Sequence, residues 1–333
     1  MTKRALIIGG SGQIGRAMID AFGASGWAVV AAHRAASGAP AAIAPATIAL
    51  DRNEPGALSL AVQSGFDVVI DTVAYDDNHA RQWLEVQGDI GALVVISSAS
   101  VYCDDEGKTL DEASKNGFPT FPVPITEDQP TVEPGPQTYS TQKVALEQTL
   151  LQGAKIPVTI LRPCAIYGEA SRQPREWWYI KRILDDRQRF PLAFDGQSQF
   201  HTSATANIAA LAKAAIEAGG THVLNSADPE ALTVAQIGEA IGNHYGRDLD
   251  LVRLPGPPRK GVGSTPWSVA KPLIVDTKRG EALGYRPVTT YAGSVGQACR
   301  SAERQAEAGI AFAPYLATMF DYAAEDAALP PAS

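Results

Sequence analysis

Cysteine is scarce in this chain: three residues, Cys103, Cys164 and Cys299, with no Cys-x-x-Cys pair among them. An odd, scattered set excludes a disulfide framework, and five isolated histidines add no zinc pattern. Positive charge is in deficit as well. Against 36 Asp and Glu stand only 28 Lys and Arg, a formal net charge of −8, which is the wrong sign for a nucleic-acid or membrane-surface partner. No apolar run is long enough to span a bilayer, and residues 5–8 behind the start are too brief for a secretory signal. No internal repeat is present. These absences lead to the expectation of a soluble cytoplasmic protein whose partner is a small molecule.

What is present is a regular alternation. Short apolar runs at 4–8, 27–32, 47–50, 67–70, 93–97 and 158–161 lack polar alternation, as strands covered on both faces do. Stretches of helical length at 13–24, 55–64, 78–87 and 138–151 fall between them. This is the pattern of βαβ units on a parallel sheet, hence an α/β fold with a doubly wound sheet. Residues 103–137 break the rhythm with Pro119, Pro122, Pro124, Pro130, Pro134 and Pro136. A loop of that length inside a compact domain is functional or disordered. Within it, the acidic run Asp104-Asp105-Glu106 reads as a solvated surface rather than a cation site. Beyond Gly168 the pattern is mixed, with helical stretches at 177–186, 207–218 and 234–242 and short strands near Val223 and Leu251. The expected division is a dinucleotide domain over 1–168 and a smaller α/β substrate domain over 169–322, with short returns to the first. A frayed tail is expected over 323–333.

The first strand runs into Gly9-Gly10-Ser11-Gly12-Gln13-Ile14-Gly15 and then a helix. Glycines 9, 12 and 15 permit a tight turn, close approach of a pyrophosphate, and packing of the helix on its strand. The helix N-terminus offers unpaired N–H groups to phosphate. Gly9, Ser11, Gly12, Gln13, Ile14 and Gly15 are therefore candidate cofactor contacts. Where NAD-specific folds carry a ribose-binding acid, about twenty residues on, this chain has His33-Arg34 and no Asp or Glu. A guanidinium there suits a 2′-phosphate, so NADP is favoured over NAD.

Further along stand Ser97-Ser98-Ala99-Ser100-Val101-Tyr102, then Tyr139-Ser140-Thr141-Gln142-Lys143, then Arg162-Pro163-Cys164-Ala165-Ile166-Tyr167-Gly168. Tyr139 and Lys143 fall on one helical face. An ammonium near the phenol is expected to lower its pKa and bring proton exchange into working range. Together with the glycine loop, these motifs resemble the extended short-chain dehydrogenase/reductase family, of the NAD-dependent epimerase/dehydratase type. Asp276-Thr277-Lys278 and Leu283-Gly284-Tyr285-Arg286-Pro287 resemble its C-terminal region, so the likeness covers nearly the whole chain.

The resemblance implies a Rossmann domain, a Ser98, Tyr139, Lys143 catalytic set, and hydride transfer to or from a secondary alcohol or ketone, by net oxidoreduction or epimerisation. Lys143 and Tyr139 would also touch the cofactor, with Pro163 and Ile166 lining the nicotinamide. Asp51-Arg52 would lie at the adenine edge and Thr72-Val73-Ala74 along the cofactor's middle. Tyr75, Ser100, Trp177, Trp178 and His201 are candidate substrate contacts, though packing between domains accounts for the tryptophans equally well. The family's paired helices, here 78–87 and 138–151, imply a homodimer. The departures are informative. Ala99 and Ser100 replace the Asp and Glu of sugar-nucleotide dehydratases, and Gln199-Phe200-His201 replaces an arginine that grips a substrate diphosphate. A rival reading, a non-catalytic cofactor-binding scaffold or RNA-associated protein on the same fold, is opposed by the complete triad and the acidic charge.

Overall fold

A computed structural model describes residues 2–34 and 46–329. Along the first half, strands β1 (Arg4–Ile8), β2 (Ala28–His33), β3 (Ala46–Ala49), β4 (Val68–Asp71), β5 (Leu93–Ile96) and β6 (Val158–Pro163) alternate with helices. These are α1 (Gln13–Ala24), α2 (Ala57–Val62), α3 (Asp77–Val86), α4 (Ala113–Asn116) and α5 (Tyr139–Gly153). The second half adds β7 (Ala165–Tyr167), α6 (Trp177–Leu184), β8 (Arg189–Leu192), β9 (Thr202–Ala204), α7 (Thr205–Ala218) and β10 (His222–Ser226). It continues with α8 (Val234–His244), β11 (Asp250–Arg253), α9 (Lys278–Ala282), α10 (Tyr291–Glu307), α11 (Pro314–Ala317) and α12 (Tyr322–Ala328).

Seven strands form one parallel sheet in the order β10-β6-β5-β4-β1-β2-β3. Strands β4, β5 and β6 are buried along their whole length. That explains their unbroken Val, Ile and Leu runs: both faces need apolar cover. Met18 and Phe22 of α1 and Ile208 and Leu211 of α7 cover one face. Val62 of α2, Trp83 of α3, and Leu146 and Leu150 of α5 cover the other. The winding reverses between β1 and β4, so the carboxyl ends of these neighbours bound a crevice, the usual ligand position in such sheets. A separate core forms where α6, α8 and α10 pack through Trp178, Tyr179, Ile237 and Val295.

β10 pairs with β6 from His222↔Thr159 to Ser226↔Pro163, and α7 packs on α1, so this part of the second half rejoins the first sheet. The tail is not frayed from Ala323 as the sequence suggested. It forms α12, whose Glu325 is buried against Arg182, while that guanidinium lies 3.7 Å above the Trp178 ring. Residues 330–333 lie outside the described residues. The proline-rich segment is organised by Asp104, which accepts backbone N–H bonds from Glu106, Lys108 and Thr120 at 3.0, 2.8 and 2.8 Å. Within the two helices expected to pair subunits, Trp83, Val144 and Leu150 are buried in the subunit itself. No helix of the described residues is long and apolar enough to cross a membrane.

One ion pair pins α5, which carries Tyr139 and Lys143, to β6. Arg162 Nε and Nη2 donate to the Glu147 carboxylate at 3.0 and 2.5 Å, and Nη1 donates to the Tyr102 hydroxyl at 3.2 Å. Both partners are buried, so deleting one strands a charge in a dry interior. Glu147→Ala is expected to cost about 3–5 kcal/mol of stability. A urea midpoint that moves by less than about 1 kcal/mol equivalent at unchanged slope would contradict this role.

Candidate active site

The glycine loop sits at the carboxyl end of β1. Gly9 has φ +83°, a conformation costly for other residues. The N–H groups of Gly9 and Gly10 donate to the Ala32 carbonyl at 2.9 and 3.2 Å, tying the loop to β2. A Cβ on Gly9 would run into Thr72 and Val73, and one on Gly15 would collide with the Gly9 carbonyl. The close packing that the sequence assigned to Gly15 is therefore seen directly. A groove of about 850 Å³ opens over this loop, walled by Gly12, Gln13, Arg34, Thr72, Val73 and Arg172. The Gln13 Oε1 is buried with no hydrogen-bond partner among the described residues. An orphaned acceptor beside a crowded glycine turn at a helix N-terminus fits a dinucleotide pyrophosphate and its ribose hydroxyls.

The catalytic candidates converge at the ends of β5 and α5. Thr138 and Thr141 cap α5 reciprocally, which fixes Tyr139 at the first turn. The Lys143 ammonium is buried and donates to the carbonyls of Ala74 at 2.6 Å and Ile96 at 2.9 Å. It lies 5.6 Å from the centroid of the Tyr139 ring. Burial pulls Lys143 down to about 8, opposed first by the Asp71 carboxylate. Tyr139 has 39% of its surface open to the cavity. Burial nevertheless pushes the phenol up to about 12, with Ser98 acting downward and Asp111 upward. The expected lowering is therefore reversed in direction: burial raises the phenol, and the Lys143 ammonium is bonded to the Ala74 and Ile96 carbonyls.

Other candidates divide. Thr72 and Val73 line the groove, whereas Ala74 is buried and contributes its carbonyl to Lys143. Asp51 is occupied by the Asn53 N–H at 3.0 Å. Arg52 is buried, with Nη1 donating to Asp71 Oδ2 at 2.6 Å and Nε to Gln82 at 3.1 Å. Ile166 lines a second cavity of about 600 Å³ with Ser98, Ser100 and Tyr139, and the Tyr75 ring lies 5.6 Å from Tyr139. Pro163 is buried at the end of β6.

Three expected substrate contacts do not reach the cavity. Trp178 is fully buried under Arg182, and Trp177 packs edge-on against Phe312 at 5.1 Å, so both belong to the second core. His201 is buried between the Asp228 carbonyl and the Val275 N–H, and burial lowers its pKa. Packing claimed these side chains. Sequence reasoning passed over Asp71 and Asp111, which matter through partners far off in the chain, and Arg172 and Arg175, which line the second cavity. Among the described residues no His, Cys, Asp and Glu group is arranged to hold a metal ion.

With this geometry in view, comparison with known proteins is direct. Residues 5–225 match the NAD dependent epimerase/dehydratase family. The chain belongs to that family. A 2′-dehydrokanamycin reductase of Streptomyces kanamyceticus is 29% identical over 150 residues, a match covering 45% of this chain and 38% of that protein's length. A dTDP-glucose 4,6-dehydratase from Bacillus anthracis, solved with NAD, superposes with a TM-score of 0.68 at 17% identity, over 92% of this chain and 98% of its own. A UDP-galactose 4-epimerase gives 0.65 at 16%, over 91% and 99%. At these identities the superpositions establish a shared fold.

The three glycines make separable demands. A Cβ on Gly12 would find only the Gly9 carbonyl, at 3.4 Å, and lies in the groove. Gly12→Ala is therefore expected to fold normally yet bind NAD at least about tenfold more weakly, about 1.4 kcal/mol by calorimetric titration. Gly15→Ala should instead lower stability by about 1–3 kcal/mol, as overpacking does. Equal melting temperatures for the two variants would refute the division.

Proposed function

We propose that this protein is a dinucleotide-dependent oxidoreductase or epimerase acting on a secondary alcohol or ketone of a sugar-like substrate. One observation carries the reading: a single cavity is lined both by Gly12 and Gln13 of the glycine loop and by Ser98 and Tyr139. A reacting carbon can thus sit between the two. The bound dinucleotide supplies the hydride chemistry. Ser98 would orient the substrate oxygen, Tyr139 would exchange its proton, and Lys143, anchored by two carbonyls 5.6 Å from the Tyr139 ring centroid, would supply positive charge there and hold the nicotinamide ribose. The substrate class draws support from the relatives, whose names include a dehydrokanamycin reductase and a UDP-sugar epimerase. At the stretch where nucleotide-sugar enzymes grip a diphosphate this chain has Gln199-Phe200-His201, and the histidine is buried, which favours a keto-sugar without a nucleotide.

The test is incubation with reduced or oxidised dinucleotide and a panel of keto-sugars and their alcohols, followed by nicotinamide absorbance, with product configuration read by NMR. Tyr139→Phe keeps the ring and removes the proton, so turnover is expected to fall by roughly 10² to 10⁴. Activity within a few-fold of the unmodified protein would remove Tyr139 from the chemistry.

Cofactor choice follows from the end of β2. Arg34 lines the dinucleotide groove, and the sequence from 35 to 45 contains no carboxylate to bind both ribose hydroxyls. A guanidinium forms charge-assisted bonds to a 2′-phosphate that a 2′-hydroxyl cannot match. NADP is therefore expected to bind more tightly than NAD, by about 1.5–3 kcal/mol per bond before solvent screening. Arg34→Ala should largely erase the preference. Calorimetry showing equal affinities, or tighter NAD, would reverse the assignment.

A further inference from the structure

The glycine loop and the strands beside it form only part of the dinucleotide groove. The rest comes from the second half of the chain: Glu169, Ala170 and Arg172, between β7 and α6, and Ser301 and Arg304 of α10. Three contacts assemble this wall. Ser301 Oγ accepts the Ala170 N–H at 2.9 Å, the Arg172 carbonyl accepts the Ala313 N–H at 3.0 Å, and Arg304 Nη2 lies 3.6 Å from Glu169 Oε1. Ala170 is held at φ +60°, a left-handed conformation that a residue with a Cβ adopts at a cost. Strain of this kind persists only where the surroundings impose it, and it collects at ligand-binding turns. The Glu169–Arg304 pair is exposed on both sides, so it adds little to stability and leaves the guanidinium open to another role.

Four arginines line the groove, Arg16, Arg34, Arg172 and Arg304, against one acid, Glu169. In a chain of net charge −8 this is a local reversal of sign, and it suits a ligand carrying several phosphates. The Arg172 side chain makes no hydrogen bond or ion pair among the described residues. Gly12, Gln13, Ala170 and Arg172 line both this groove and the cavity that holds Ser98 and Tyr139. Arg172 therefore stands at the junction of the two, beside the glycine turn that fits a pyrophosphate. Arg304 lines the groove and not the second cavity, so contact with substrate does not account for it. We propose that Arg172 and Arg304 form a phosphate clamp, supplied by the second half of the chain, that holds the dinucleotide onto the glycine loop. Arg172 serves the pyrophosphate, and Arg304 adds a second charge from α10. The clamp rests on the assignment of this groove to the dinucleotide.

The test is calorimetric titration of the full chain with NADP and with NAD, at low and at high salt. Arg172→Ala and Arg304→Ala are each expected to weaken NADP binding about fivefold at low salt, and by less at high salt, where such charges are screened. Arg172→Ala should weaken NAD binding by a similar factor, because both dinucleotides carry the pyrophosphate. Arg304→Lys keeps the charge and should keep most of the affinity. Glu169→Gln carries the decisive sign: it removes the one acid of the groove, so NADP should bind more tightly. If Arg304 serves only its ion pair with Glu169, Glu169→Gln and Arg304→Ala break the same contact and act alike. Hydrogen exchange gives a second readout, with NADP slowing exchange across 301–307 in the unmodified protein and less so in Arg304→Ala. Unchanged NADP affinity at low salt in Arg304→Ala or Arg172→Ala, or weaker binding in Glu169→Gln, overturns the clamp alone. Gly12→Ala binding NADP as tightly as the unmodified protein overturns the groove assignment and the clamp with it.

Discussion

At the carboxyl end of β4 the Asp71 carboxylate is fully buried and accepts four hydrogen bonds. Oδ1 takes the N–H groups of Val73 and Ala74, both at 2.9 Å. Oδ2 takes Arg52 Nη1 at 2.6 Å and the Trp83 indole N–H at 2.8 Å. Burying a carboxylate is tolerable only with this degree of satisfaction, and each partner is thereby fixed in turn. The turn at 72–74 is held rigid, which presses Thr72 and Val73 against Gly9 and aims the Ala74 carbonyl at Lys143. The dinucleotide groove and the candidate catalytic lysine therefore share one anchor.

Burial sets the electrostatics of the site. It disfavours both the Lys143 ammonium and the Tyr139 phenolate, pulling one down to about 8 and pushing the other up to about 12. Backbone carbonyls, not an ion pair, hold the ammonium. The second core plays a different part. It draws in Trp177 and Trp178, aromatic side chains that look like ligand contacts in sequence, and uses them for packing.

The sequence by itself determined the parallel sheet, the glycine turn, and the placement of Tyr139 and Lys143 on one face of a helix. Each depends on local spacing: unbroken apolar runs for doubly covered strands, glycines three apart for a close turn, and a four-residue interval for one helical face. Only the tertiary structure decided the rest, because the decisive contacts join residues far apart in the chain. Arg52 reaches Asp71, β10 returns to β6, and α12 is held by Arg182 instead of fraying. Asp111 meets Ser140 across 29 positions, a pairing that no periodicity or motif encodes. Burial also reversed the expected direction at Tyr139, since the desolvation of a phenol depends on everything packed around it.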